Sequence, residues 1–328
     1  MNIMSDEALV IIRATLPSFT IALLGFMLGK IDSNREMNQK TISNMVYYFF
    51  TPCLVFSSLH KRSFDFQEFA LIGGAAFMLI AIMTPVAFFF KKRSGTVENG
   101  YVLPVIFMNT GNISLPIALL MFGNEGLAKA ILFHLMNIMV LYSYGVYLVS
   151  GKTDLMQFFK IPALWAAILG VVAATGNPAP PGFFSDGYNI INKGIDVLAF
   201  GAIPLLIINL GYSMSDTKLS TLKEGMTGAT IRLFGGPLMA FLLIYGYRVI
   251  GWSPATAGMD PLVALGYRTT EAVIILNAAM PGPIMAYLLN VKFDNCPEKA
   301  AAMVAVGTLG GIVTIPIILS MISRYIIG

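Results

Sequence analysis

The chain reads as ten apolar runs separated by short polar segments. The runs fall at about 8–29, 41–59, 69–90, 101–122, 129–149, 161–177, 190–212, 227–250, 262–290 and 299–326. A helical run of about 20 apolar residues is long enough to cross a bilayer, so each predicts a transmembrane helix. The sixth is short. Strong turn signals lie between the runs: Asp32-Ser33-Asn34, Lys91-Lys92-Arg93-Ser94-Gly95, Gly176-Asn177-Pro178 with Pro180-Pro181-Gly182, and Asp294-Asn295-Cys296-Pro297,.

Two runs are interrupted in the same way. Asn112-Ile113-Ser114-Leu115-Pro116 lies inside the fourth and Asn277-Ala278-Ala279-Met280-Pro281 inside the ninth, each with Asn four residues before Pro. Proline removes one intrahelical hydrogen bond and clashes with the preceding turn. In hydrocarbon a freed backbone group persists only where protein or water satisfies it. Two interrupted spans in corresponding halves point to a binding site at the membrane midplane.

The halves echo each other elsewhere. Pro17 and Gly25 in the first span match Pro162 and Gly170 in the sixth, at equal spacing. Pro52 in the second corresponds to Pro204 in the seventh, and Pro85 in the third to Pro237 in the eighth. Five spans is an odd number of crossings, so the second repeat must enter from the opposite side. The expected fold is therefore an all-α polytopic membrane protein. Its ten transmembrane helices form two inverted five-helix repeats, 1–150 and 151–328, with broken helices 4 and 9 crossing.

Composition agrees. Of 328 residues, 56% are hydrophobic and 12% charged, with a mean hydropathy of +0.75. Soluble domains carry about 25% charged residues, and no run here predicts one. The net charge of +4 comes from lysines and arginines in the loops. It speaks to topology and against nucleic-acid binding. Loops 1–2, 3–4, 5–6, 7–8 and 9–10 hold about twice as many of them as the opposite side, which places those loops in the cytoplasm and both termini outside,. No basic region with a small-residue cleavage site opens the chain, so the first span is expected to be retained. Cys53 and Cys296 form neither a disulfide framework nor a metal spacing,.

A broken helix offers two kinds of end. The second half-helices, expected to start near Pro116 and Pro281, aim free N–H groups and a positive dipole end at the midplane. An anion is the natural ligand there. The first half-helices end in free carbonyls, which suit a cation or a donor. Asn109, Asn112, Ser114 and Asn277 add neutral donors and acceptors, and Gly111 and Gly282 let the backbone unwind. For Asn112 and Asn277 two roles are open, capping the loose backbone or contacting a ligand. Asn137 sits in mid-span in the fifth helix, where an amide needs a partner or water.

Charges inside the spans are functional by default. Glu271 is the candidate for binding a coupling proton or sodium ion, although Arg268 stands one turn back and a local pair is the alternative. Arg13 lies near the outer surface, where two roles are open, snorkelling or attracting an anion. Asp196 is read as a local partner of Lys193, His134 as a packed neutral side chain, and Arg232 as a topology charge. No cofactor or resident metal is expected. There is no His-Glu-x-x-His pattern and no acid pair within a span, which argues against an enzyme.

The motifs Asn109-Thr110-Gly111…Pro116, Ala279-Met280-Pro281, Thr51-Pro52-Cys53-Leu54 and Pro204 give the chain a family resemblance. It resembles the auxin efflux carrier (PIN-like) family in its compact bacterial form, which includes proposed malonate and malate permeases. The resemblance covers nearly the whole chain; the large cytoplasmic loop of many plant members is absent. It implies a fold similar to bile-acid symporters and sodium/proton antiporters. Spans 1, 2, 6 and 7 would be the scaffold and homodimer contact, and spans 3–5 and 8–10 the transport unit. It implies a multi-pass protein of the bacterial inner membrane and an organic anion beside the crossover. Carried onto this sequence, it nominates Asn109, Pro116, Asn137 and Pro281, with backbone near Ile113 and Ser114. Asn112 departs from the apolar residue common in the bacterial pattern and adds a polar group where the ligand should sit.

The expected function is secondary-active transport of a small carboxylate such as malonate, malate or an auxin-like acid, by alternating access. The rivals are a sodium-coupled symporter, with Glu271, Thr269, Thr270, Asn109 and Asn277 as possible oxygen ligands, and a cation/proton antiporter. The antiporter needs carboxylates in the membrane interior, and span 5 has Met136-Asn137 and no acid between Lys129 and Lys152.

Overall fold

The computed structural model describes residues 3–32, 39–62, 65–152, 156–175, 183–215, 222–251 and 260–327. The described residues are helical, with no strand among them. In chain order the helices are α1 (Ile3–Ile31), α2 (Gln39–Met45, a π turn Val46–Phe50, then Thr51–His60) and α3 (Phe66–Arg93). A 3-10 turn, Asn99–Val102, opens α4 (Leu103–Ile106). After a break come α5 (a π turn Thr110–Ser114, then 115–122) and α6 (124–140, a π turn Leu141–Gly145, then Val146–Ser150). Beyond a short turn, Met156–Phe159, lie α7 (Pro162–Thr175) and α8 (Phe183–Met214). Then follow α9 (Leu222–Thr230, a π turn Ile231–Gly235, Gly236–Val249), α10 (Pro261–Ala278), α11 (Ile284–Lys292) and α12 (Pro297–Ile322).

Seven helical stretches among the described residues are long and apolar enough to cross a membrane. Four of the ten expected spans take another form among the described residues. The fourth and fifth belong to one 52-residue stretch, Asn99–Ser150. It is divided at Gly123, whose φ of 66° and ψ of −160° no helix accommodates. The sixth, α7, has 14 residues, about 21 Å at 1.5 Å per residue, which is short of the hydrocarbon thickness. The ninth is split into α10 and α11. The turns expected at 33–34 and 176–182 lie outside the described residues.

Prolines explain three of the π turns. Pro52, Pro116 and Pro237 each stand two residues after a π turn: Val46–Phe50, Thr110–Ser114 and Ile231–Gly235. A proline in a helix has no N–H for the carbonyl four residues back and collides with it. Those carbonyls belong to Tyr48, Asn112 and Leu233, the central residue of each π turn. Widening one turn relieves the collision without ending the helix.

The chain folds as two compact units. One comprises Thr20–Gln67 and Leu155–Asp216. Within it α1 and α8 pack backbone to backbone. A Cβ on Gly25 would meet the main chain of Ile208, and one on Gly211 the carbonyl of Ala22. Small residues at this contact let two apolar helices approach closely where lipid gives no hydrophobic drive. Asp196 of α8 accepts hydrogen bonds from Lys61 at 2.6 Å and Ser57 at 2.5 Å in α2. Its partner is therefore across the helix contact, and the local pair expected with Lys193 is replaced by it.

The other unit comprises Met1–Phe19, Glu68–Asp154 and Thr217–Gly328. It holds α3–α6 and α9–α12, including both interrupted spans. Gly225 and Gly228 of α9 seat against Ala302 and Met303 of α12, where a side chain would collide. Most buried side chains lie in this unit, on α3–α6, α10 and α12.

Candidate substrate site at two broken helices

Helix α4 ends at Ile106. Phe107 is extended (φ −92°, ψ 158°), and Asn109 (φ −78°, ψ 66°) is also outside helical geometry. The break is therefore at 107–109, seven residues before Pro116, and not at the proline. Pro116 lies instead within α5, just after the π turn Thr110–Ser114 that accommodates its missing N–H,. In the ninth span the chain leaves the helix after Ala278 and re-enters at Ile284, so Pro281 lies inside the break.

The two breaks touch through main chain. The N–H of Asn109 donates to the carbonyl of Pro281 at 2.8 Å. Gly282 faces Pro104, whose carbonyl oxygen would lie 2.6 Å from any Cβ there. Gly307 of α12 lies against the Pro281 ring.

Side chains on three helices finish the junction. Asn109 Oδ1 accepts from the N–H of Asn112 at 3.3 Å and caps α5,. The capping expected of Asn112 is done by Asn109. Asn137 Nδ2, from α6, donates to the carbonyl of Met108 at 2.9 Å and to Thr110 Oγ1 at 3.2 Å. Thr110 Oγ1 lies 2.7 Å from His134 Nδ1. Asn277 Nδ2 donates to the carbonyl of Val273 at 2.8 Å, one turn back in its own helix, and so caps nothing at the break.

These bonds fix which amide atom faces where. Met108 and Val273 offer carbonyls, which only an NH₂ can meet, and Asn112 offers an N–H, which only an amide oxygen can meet. The atoms left over are Asn109 Nδ2, Asn137 Oδ1 and Asn277 Oδ1. Together with Ser114 Oγ they are buried and have no hydrogen-bond partner among the described residues. An unpaired buried polar atom costs about 1–3 kcal/mol, and four on or against the two breaks call for something polar to meet them. Ile113, Ser114, Pro116 and Pro281 are also buried, and Asn112 is half-buried.

The carbonyl ends of the breaks are met by a residue the sequence suggested for topology. Arg232, in the π turn of α9, is 1% exposed. Its Nη1 donates to the carbonyls of Val105 and Ile106, each at 3.3 Å, and its Nη2 to the carbonyl of Ala278. These are the last carbonyls of α4 and α10. The only sequence signal was a lone arginine in an apolar run one turn before a proline.

Two charge clusters stand on α10. Glu271 is buried, and Arg248 of α9 donates to it through Nε at 3.0 Å and through Nη2. Beside it, Lys129 of α6 is buried. It donates to the carbonyl of Gly266 at 2.6 Å and to Thr270 Oγ1 at 2.9 Å, and pairs with Glu68 of α3 at 2.9 Å and Glu125 at 2.8 Å. Arg13 is exposed.

Comparison with known proteins places this architecture. The family model described as membrane transport protein matches residues 10–160 and 148–319. The chain belongs to the membrane transport protein family. It is similar to an uncharacterized transporter of Methanothermobacter thermautotrophicus, 23% identical over 93% of this chain and 96% of that one. It is also similar to an uncharacterized transporter of Methanocaldococcus jannaschii, 23% identical over 88% of this chain and 91% of that one. Family membership and the apolar helices together identify a multi-pass membrane transporter, and the auxin efflux carrier resemblance rests on the same family.

Proposed function

We propose that the chain is a secondary-active carrier of a small organic anion, bound where the fourth and ninth spans are broken. The reading has ten spans in two inverted five-helix repeats, with both termini outside the bacterial inner membrane. Spans 3–5 and 8–10 move as the transport unit against a scaffold of spans 1, 2, 6 and 7, which also forms a homodimer. The observation that carries it is the set of four buried, unpartnered polar atoms on Asn109, Ser114, Asn137 and Asn277. Beside them lie the N-terminal ends of α5 and α11, which favour negative charge. The grouping of α3–α6 and α9–α12 in one compact unit supports the division of labour.

The polarity of the four atoms narrows the ligand. A carboxylate accepts hydrogen bonds, and so suits Asn109 Nδ2 and Ser114 Oγ. Asn137 Oδ1 and Asn277 Oδ1 need a donor. An acid that also carries a hydroxyl or N–H group fits better than a plain diacid.

Thermal melting of the purified chain against malonate, malate and indole acetate tests the reading, since a ligand of the native state raises Tm. Malate or indole acetate should raise it more than malonate does, and the same acid should be taken up by proteoliposomes. If no carboxylate shifts the melt or crosses the membrane, the proposal is wrong. Sodium-coupled uptake of the same anion is the rival. Thr270 and Glu271, two of its candidate ligands, are engaged by Lys129 and Arg248. Glu271 serves as a coupling site only by exchanging Arg248 for the ion.

A further inference from the structure

A helix interrupted at mid-length has a negative end as well as a positive one, worth about half an elementary charge at each terminus of a full helix. Where two such negative ends meet, free carbonyls form a ready site for a cation. Here the place is filled. Arg232 reaches the last carbonyls of both first half-helices at once, Val105 and Ile106 on α4 and Ala278 on α10. One full positive charge faces two partial negative ones.

The surroundings are shaped for the guanidinium. Gly236 lies one turn further along α9, and a Cβ there would collide with Arg232 Nη2 and Cζ and with the Ala278 carbonyl. The π turn Ile231–Gly235, forced by Pro237, carries the arginine itself. A buried arginine costs several kcal/mol of desolvation; three carbonyls meet its Nη atoms, while Nε has no partner among the described residues, so its presence in an apolar span marks a specific use.

We infer that Arg232 sets the sign of charge that the paired breaks accept. Its guanidinium takes the position a coupling cation would occupy at the carbonyl ends, so that of the helix termini the N–H ends alone stay open, and these select an anion. The inference takes its functional meaning from the carrier reading above, but its test reads the chain's own stability and needs no substrate.

The full-length chain in detergent is melted in sodium, lithium and choline chloride at equal ionic strength. The wild type should melt at one temperature in all three. Arg232→Ala should melt several degrees lower in choline, regain part of the loss in sodium, and regain more in methylguanidinium. Arg232→Gln keeps donors without charge. It should show the same sodium response, and it stands in if the alanine variant does not fold. Arg232→Lys keeps the charge and should show no sodium response. A residue that merely fills space would not produce a response specific to sodium over choline. The inference is overturned if neither neutral variant responds to sodium, or if the wild type responds as strongly as they do. Failure of every carboxylate to bind would remove the carrier reading and leave this result standing.

Discussion

The N–H of Asn109 and the carbonyl of Pro281 form a 2.8 Å hydrogen bond between two interrupted helices. Neither group can be paired within its own helix, because each lies in the stretch where helical geometry is lost. The bond makes the two breaks mutually dependent: re-forming either helix would leave a buried main-chain group of the other unpaired. It also ties the junction to backbone position, so substitutions that shift backbone should act more strongly than those that trim side chains.

Gly282→Ala tests this. The new Cβ would lie 2.6 Å from the Pro104 carbonyl oxygen and 2.9 Å from Pro104 Cβ. Gly282 is not among the glycines with positive φ, so the effect is contact and not backbone strain. Overpacking of this kind costs about 1–3 kcal/mol. The variant should melt lower and lose carboxylate binding. Gly246→Ala in α9 is the control, since nothing lies within 4 Å of its added Cβ. It should be neutral or gain about 0.5–1 kcal/mol from a stiffer helix. Equal melting of the two variants would contradict the close approach of the breaks.

Asn109 has two jobs that substitution can separate. Its Oδ1 caps α5 through the Asn112 N–H, and its Nδ2 is the buried donor without a partner. Asn109→Ala removes both, with a cap loss of about 1 kcal/mol. Asn109→Asp keeps the capping oxygen but replaces the donor with negative charge. The aspartate variant buries a carboxylate at a 3% exposed position and should melt lower than wild type,, while its capping oxygen is kept and malate no longer stabilises it. If malate still raises its Tm, Asn109 only caps.

Seven membrane-length stretches were legible in the sequence because length and apolarity alone decide whether a helix can cross a bilayer,. The sequence also pointed to the interrupted runs, because proline and asparagine are costly there. It misplaced one break. Pro116 is absorbed by a π turn at Thr110–Ser114, and the fourth span opens seven residues earlier. Sequence shows that a hydrogen bond is lost at a proline, but not whether the helix widens or parts. The charged partners were hidden for a different reason. Asp196 meets Lys61, Glu271 meets Arg248 and Arg232 meets three carbonyls, all across helix contacts. The i,i+3 and i,i+4 rules reach only neighbours on one helix, so such pairs appear only once the helices are packed.

Lys129 is a case in which removing one charge should be worse than removing two. It is buried and pairs with the partly buried Glu68, and their nitrogen and oxygen lie 2.9 Å apart. Breaking a buried pair from one side costs about 3–5 kcal/mol, while replacing both partners with apolar groups can be nearly neutral. Lys129→Met should therefore lower Tm sharply, and adding Glu68→Leu should restore much of it. The exposed Glu125 should contribute little, and Glu125→Gln should melt close to wild type. Additive losses in the Lys129–Glu68 double variant would mean that the pair does not act as a unit.

The same asymmetry bears on coupling at Glu271. Its carboxylate is buried while Arg248 is 44% exposed, so Arg248→Gln takes a bidentate partner from a buried charge, whereas Glu271→Gln leaves the remaining charge on a side chain that reaches solvent. Arg248→Gln should be the less stable of the two, and the double variant should recover toward Glu271→Gln. Transport separates structure from coupling. If Glu271 carries the driving ion, Glu271→Gln should abolish the dependence of uptake on a proton or sodium gradient while substrate still raises Tm. A Glu271→Gln carrier whose uptake follows the gradient as the wild type does would confine this ion pair to holding α9 against α10.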